Sequence, residues 1–230
     1  MINSSSRISC YDDFAEKYMN SQDEFYAKVL DVSRKEIYHQ INFSLKDKKV
    51  LDVGCGVGED LPYFKKQGAL VYGIDVSKKM IELAKKNNPS IKNFSVQSFE
   101  NTTFEDRFFD VIVSRYALHY AENIEEVFIE LHRILKPGGF LIFLVTHPLL
   151  SFITKKERNY YTKEIIEIPL FNNKVIVKEP AHTFAEYFNK FLLENFELLS
   201  FSEGPKEGIS KETNFKEIVP DFFILKLKKK

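Results

Sequence analysis

The chain has 230 residues, 44% of them apolar and 29% charged, with 33 Lys+Arg against 33 Asp+Glu and a formal net charge of +0. That length and apolar share suit a sizeable packed core, while the balanced charge argues against broad nucleic-acid binding, which needs a basic surface. The only two cysteines, Cys10 and Cys55, give neither a disulfide framework nor a zinc cluster, so the expectation is a reducing, cytoplasmic setting and no metal.

From the start, Met1 to Ser6 lacks the apolar core of a secretory signal. Tyr11, Phe14 and Tyr18, then Val29, Ile37, Tyr38 and Ile41, recur at helical spacing with a break near Asn20-Ser21. From Lys49 the pattern changes to alternating strand and helix. Strands are expected at Val50–Val53, Leu70–Ile74, Phe94–Val96, Phe109–Ser114 and Phe140–Val145. Helices are expected at Glu59–Gln67, at Ser77–Asn87 with Ser77 as cap, and at Ile124–Leu135. Lys136-Pro137-Gly138-Gly139 reads as a sharp helix-to-strand turn. The apolar run Phe140 to Val145 has the length of a strand and not of a membrane span.

Beyond Pro148 the alternation pauses. Ile165–Ile168 and Lys174–Val177 flank Asn172-Asn173 and read as an inserted β-hairpin. Thr183 caps a helix to about Asn195, Phe196–Phe201 and Phe222–Leu227 are closing strands, and Glu203–Pro220 is a polar loop. Lys228-Lys229-Lys230 reads as a solvated tail. The alternation implies a parallel sheet with helices on both faces. No repeat or linker is evident, so one domain is expected: a helical cap over 1–45, a ligand-binding core over 46–147, an insertion over 148–181 and closing elements over 182–230.

The stretch Val50-Leu51-Asp52-Val53-Gly54-Cys55-Gly56-Val57-Gly58-Glu59-Asp60 carries most of the chemistry. A strand runs into a glycine turn, where backbone without Cβ lets a ligand approach, and then into a helix start with unpaired N–H groups. Asp75 ends the second strand about twenty residues later, where a carboxylate can accept from ribose hydroxyls or else assist the cap at Ser77. The layout suits a nucleoside. A dinucleotide fingerprint, Gly-x-Gly-x-x-Gly, would put its third glycine one position further on, and Glu59 and Asp60 would repel a pyrophosphate. A sulfonium amino acid instead brings a cation and an ammonium group.

Several segments, in order, resemble the motifs of class I S-adenosylmethionine-dependent methyltransferases, in the small-molecule branch that includes ubiquinone and menaquinone biosynthesis enzymes. They are Val50–Gly58, Tyr72–Ser77 with Met80, Phe108–Ser114 with Ala117–Tyr120, Leu135–Gly139, and the N-terminal Tyr11–Tyr18. The resemblance implies a Rossmann-like methyltransferase fold with a seven-stranded, mostly parallel sheet whose last strand is antiparallel. It implies S-adenosyl-L-methionine as cofactor, with Asp52, Gly54, Cys55 and Gly56 at its amino acid part, Asp75 on the ribose, and Val76 and Met80 flanking the adenine. Ser98 stands where that family commonly has Asp, so Ser98 or the Phe99 backbone is expected at the adenine amino group. Ser114 and Arg115 would lie beside the methionine moiety, and Tyr11 and Tyr18 would cover the cofactor.

Methyl transfer is an in-line displacement on an activated donor, so positioning matters most, and a base helps only where the nucleophile loses a proton. His119, after the fourth strand, and His147, after the fifth, are the base candidates; His182, at a helix start, reads as structural. Tyr116, Tyr120 and Tyr160, with the two histidines, are candidates to line the acceptor site, and each aromatic is equally an ordinary packing residue. The expected partner is a small-molecule methyl acceptor at O, N or C, with no nucleic acid, no membrane insertion, and a monomeric or homodimeric state. Two rival readings are an inactive cofactor-binding or partner-binding protein and a nicotinamide dehydrogenase.

Overall fold

The computed structural model describes residues 24–170, 175–204 and 219–230. In chain order these form α1 (Glu24–His39), β1 (Lys49–Val53), α2 (Leu61–Lys66), β2 (Leu70–Asp75), α3 (Lys78–Asn87), β3 (Asn93–Val96) and β4 (Phe109–Arg115). A 3-10 turn (Leu118–Tyr120), α4 (Ile124–Ile134), β5 (Leu135–Thr146) and α5 (Pro148–Thr154) follow. The chain then gives β6 (Ile165–Leu170), β7 (Val175–Pro180), α6 (Phe184–Tyr187), α7 (Lys190–Asn195), β8 (Phe196–Gly204) and β9 (Phe222–Lys229).

Seven strands make one sheet in the order β3-β2-β1-β4-β5-β9-β8, and β6 and β7 form a separate hairpin. The pairs from β3 through β5 are parallel, and β9 runs antiparallel to both neighbours. The central strands read as unbroken apolar runs because both faces are covered. On one face Ile37, Leu61, Phe64, Ile81 and Ala84 pack on Val50, Val111 and Ile142. On the other, Val127, Phe128, Leu131, Tyr187 and Leu192 pack on Leu51, Ile112, Leu141 and Phe143. Strand order reverses between β1 and β4, and in open α/β sheets that crevice, outside the carboxyl ends of the strands, is where ligands bind.

Four expectations change. Lys228-Lys229-Lys230 is not a solvated tail: Lys228 and Lys229 end β9, and the buried Lys229 donates to the His132 and Leu135 carbonyls at 2.7 and 2.9 Å. Lys136–Gly139 is not a turn preceding a strand but the start of β5: Leu135 pairs with Phe109, the register shifts, and Phe140 pairs with Val111. Gly138, at φ 72°, supplies the left-handed residue that such a bulge accommodates. The single helix expected after Thr183 is two short ones. Asn189 restarts the helix by accepting from the Leu192 N–H at 2.8 Å while its amide donates to the Glu186 carbonyl at 3.0 Å. The stretch after Pro148 contains α5, capped by the His147 ring. The hairpin is present, with its Asn172-Asn173 turn outside the described residues.

Asp221 opens β9, tied by its N–H to the Gly204 carbonyl and by its carbonyl to the His147 N–H, each at 2.9 Å. Burial raises its carboxyl from the usual 3.8 to about 6. A raised acid contributes stability that is fully present below the unfolded value and lost as pH rises through the folded one. Unscreened, two units are worth about 3 kcal/mol; for this half-buried group solvent screening leaves about 1 kcal/mol. Asp221→Asn is therefore expected to match the wild type at pH 4 and to exceed its stability by about 1 kcal/mol at pH 7.5, read from urea midpoints.

Candidate functional site

β1 delivers the glycine turn to the crevice, and its glycines at 54, 56 and 58 have φ of 69°, 50° and 79°. Each is needed for a different reason. A Cβ on Gly54 would lie 2.2 Å from the Ala117 Cβ, so the loop after β4 is packed onto bare backbone. A Cβ on Gly58 would lie 2.7 Å from Asn88 Nδ2, at the end of α3. A Cβ on Gly56 would meet no described residue within 4 Å. Cys55 is buried beneath the turn, its N–H donating to the Ile74 carbonyl at 2.9 Å, and burial pushes its thiol well up.

Asp75 ties this turn to the next. One carboxylate oxygen accepts from the Gly56 N–H and the other from the Ser77 N–H, both at 2.9 Å. Ser77 in turn caps α3 by accepting from the Met80 N–H at 3.1 Å. Met80 is buried and Val76 half-buried beside it. Asp52, at 4% exposure, has its carboxyl raised by burial and by the nearby Asp60 and Asp75, with Arg115 opposing.

Glu59 and Asp60 carry less unbalanced charge than the sequence suggests. Asp60 accepts from Arg34 Nε at 2.9 Å, from the Tyr38 hydroxyl at 2.7 Å and from Arg115 Nε at 2.8 Å. Glu59 pairs with Arg34, and Arg115 Nη2 stands 3.7 Å from it. Burial works to raise the Asp60 carboxyl, but Arg115, Tyr38 and Arg34 together hold it below the usual range. Burial and Asp60 push the Tyr38 phenol up. Arg115 thus braces the helix start beside the glycine turn from the end of β4.

Near β3, the Ser98 hydroxyl donates to Glu100 Oε2 at 2.8 Å and accepts from the Glu100 N–H at 3.2 Å. Glu100 is an acid that the sequence reading did not single out. Phe99 packs its ring against the core. The buried Ser114 hydroxyl donates to the Val53 carbonyl at 3.0 Å, fastening β4 to β1.

After β4 the chain turns through Tyr116, at φ 55°, whose N–H donates to the Leu144 carbonyl. His119 follows, 3% exposed, with Nε2 3.2 Å from Oε2 of Glu179. Glu179 belongs to the inserted hairpin, is 2% exposed, and was missed in the sequence. A signal existed: Val177 is buried two residues earlier, so strand alternation aims position 179 inward. His147 is fully occupied. Its Nδ1 accepts from the Leu149 N–H at 3.1 Å and its Nε2 lies 2.8 Å from Glu203 Oε1. Burial pushes this imidazole down, against Glu203. His182 Nε2 is 2.8 Å from the Ala121 carbonyl. The Tyr160 hydroxyl accepts from the Phe184 N–H at 2.7 Å, joining the insertion to α6. Tyr11 and Tyr18 lie outside the described residues.

Residues 51–143, from β1 into β5, match the family described as Methyltransferase domain. The match covers the part of the chain that carries the glycine turn and Asp75, and it makes that part similar to methyltransferase domains. The chain is 37% identical over 123 residues to an uncharacterised protein of Haemophilus influenzae, covering 50% of this chain and 48% of that one. It is 33% identical over 109 residues to a ubiquinone biosynthesis O-methyltransferase of Coxiella burnetii, covering 46% and 47%. The matches thus span about half the length of these relatives. A crystal structure of an S-adenosylmethionine dependent methyltransferase from Mesorhizobium loti has a TM-score of 0.69 at 19% identity, covering 85% of this chain and 96% of that one, which is a likeness of fold.

The residues present fit S-adenosylmethionine. A Cβ on Gly56 would meet no described residue within 4 Å, and the raised Asp52 carboxyl, with Asp75 nearby, is a donor set that gains from a cation.

Proposed function

We propose that this chain transfers a methyl group from S-adenosylmethionine to a small organic acceptor. The observation that carries this reading is Asp75, bonded to the Gly56 N–H across the glycine turn at the reversal of strand order. A carboxylate at the end of the second strand is placed to accept from ribose hydroxyls. In this reading Asp52 draws the ammonium of the methionine moiety, Val76 and Met80 flank the adenine, and the turn at Ser98–Glu100 supplies the contact to its amino group.

The cofactor supplies a methyl on positive sulfur with a good leaving group. The protein's task is to align acceptor and methyl and to exclude water. As the acceptor's electron pair bonds to carbon, the carbon–sulfur pair returns to sulfur. Where the acceptor carries a proton, His119 is the ring placed to take it, because both nitrogens of His147 are engaged. The hairpin covers the same rim and selects the acceptor.

Incubating the protein with methyl-labelled S-adenosylmethionine and a small-molecule extract of bacterial cells tests this. The expected result is label in at least one acceptor with equal release of S-adenosylhomocysteine. Cofactor binding with no transfer to any component would instead favour an inactive cofactor-binding protein.

A further inference from the structure

The inserted hairpin reaches the turn after β4. We infer that Glu179 is a positioning residue that orients His119 as general base, and that the acceptor is therefore a molecule with an ionisable O–H or N–H. The inference rests on the proposed methyl transfer and adds a residue and a substrate class to it.

Glu179 reaches His119 from β7, which packs on the Leu118–Tyr120 turn. Both side chains are almost wholly buried, and Nε2 to Oε2 is 3.2 Å. In the tautomer whose Nε2 hydrogen faces this carboxylate, the lone pair is left on Nδ1. His119 Nδ1 is buried and has no hydrogen-bond partner among the described residues; nor has Glu179 Oε1. Leaving a buried polar atom unsatisfied costs about 1–3 kcal/mol. His147, with both nitrogens bonded, incurs no such cost. A base oriented by a third group, with its second nitrogen uncommitted, is the arrangement that activates hydroxyl nucleophiles in unrelated hydrolases.

The ring is also held in place. The Tyr120 ring lies 4.2 Å away between centroids, and Tyr116 meets it edge-on at 6.3 Å. Two residues before His119, Ala117 packs on Gly54, which locks this turn to the glycine loop on the donor side. Besides Tyr116 and Tyr120, Tyr187 of α6 is near Glu179, and its phenol is pushed well up by burial and then by Glu179 and Glu186.

In the reaction the acceptor's O–H or N–H proton passes to Nδ1 as its electron pair bonds to the methyl carbon, and the carbon–sulfur pair goes to sulfur. Positive charge moves from sulfonium to imidazolium, where the Glu179 carboxylate compensates it, and the proton later leaves to water. An acceptor with no proton to lose, such as a thioether, gains nothing from this pair.

The test uses methyl-labelled S-adenosylmethionine with simple phenols, aliphatic alcohols and primary amines as probes. Transfer to at least one class is expected. Glu179→Gln should lower kcat about 100-fold, with the KM for S-adenosylmethionine and the affinity for S-adenosylhomocysteine unchanged. Glu179→Asp should recover part of kcat and, where the Gln variant does not fold, decides the matter alone. The inference is overturned by unchanged kcat, by loss of cofactor affinity in parallel with kcat, or by transfer to none of the three classes. Failure of the wild type to bind S-adenosylhomocysteine would overturn the methyl-transfer reading itself, whereas binding with a kcat indifferent to Glu179 overturns only this inference.

Discussion

Asp75→Ala is expected to weaken binding of S-adenosylhomocysteine about 100-fold or more, measured by calorimetry. The carboxylate joins two turns by accepting from the Gly56 and Ser77 N–H groups, so its loss loosens the glycine loop. It also removes the acceptor proposed for two ribose hydroxyls. Hydrogen bonds to a charged group are worth about 1.5–3 kcal/mol each, and about 2.7 kcal/mol in total already corresponds to 100-fold. Asp75→Asn keeps one accepting oxygen and should fall between wild type and Ala. An Ala variant within twofold of the wild type would contradict the assignment of the ribose site.

The second large effect is on stability. Gly54→Ala places a methyl 2.2 Å from the Ala117 Cβ on a residue at φ 69°. The left-handed backbone costs about 1–2 kcal/mol, and overpacking adds about 1–3 kcal/mol. The variant should therefore lose about 3 kcal/mol in urea unfolding. Ala117→Gly in the same chain removes the overlap, so the double variant should retain only the backbone cost. Gly56→Ala serves as the contrast: its added methyl meets no described residue, so stability falls by only about 1 kcal/mol while cofactor affinity drops. Equal stability losses at the two positions would show that the close approach of Ala117 is not what requires Gly54.

The parallel half of the fold was legible because its strands are apolar runs buried on both faces, and Ser77 and Thr183 cap helices where such residues should. The register of β5 was not. Lys136-Pro137-Gly138-Gly139 carries turn chemistry, yet pairing with Phe109 recruits Leu135 into the strand and leaves the glycines as a bulge. Nor could sequence foresee that Arg34 and Arg115 pair with Glu59 and Asp60, since those partners lie 25 to 56 positions apart. The case against a dinucleotide accordingly rests on the glycine spacing, and the acidic pair adds less than it first suggested. On the acceptor side, His119 and His147 looked alike by position. Only hydrogen-bond partners separate them, and the partner of His119, Glu179, carries no local motif.

The central claim is that the turn at Gly54–Gly58, with Asp75, holds S-adenosylmethionine and not a dinucleotide. Calorimetric titration of the wild-type protein with S-adenosylhomocysteine and, separately, with NADH tests it most directly. Saturable one-to-one binding of S-adenosylhomocysteine and no binding of NADH is the predicted result. No heat with S-adenosylhomocysteine, or saturable binding of NADH, would contradict it.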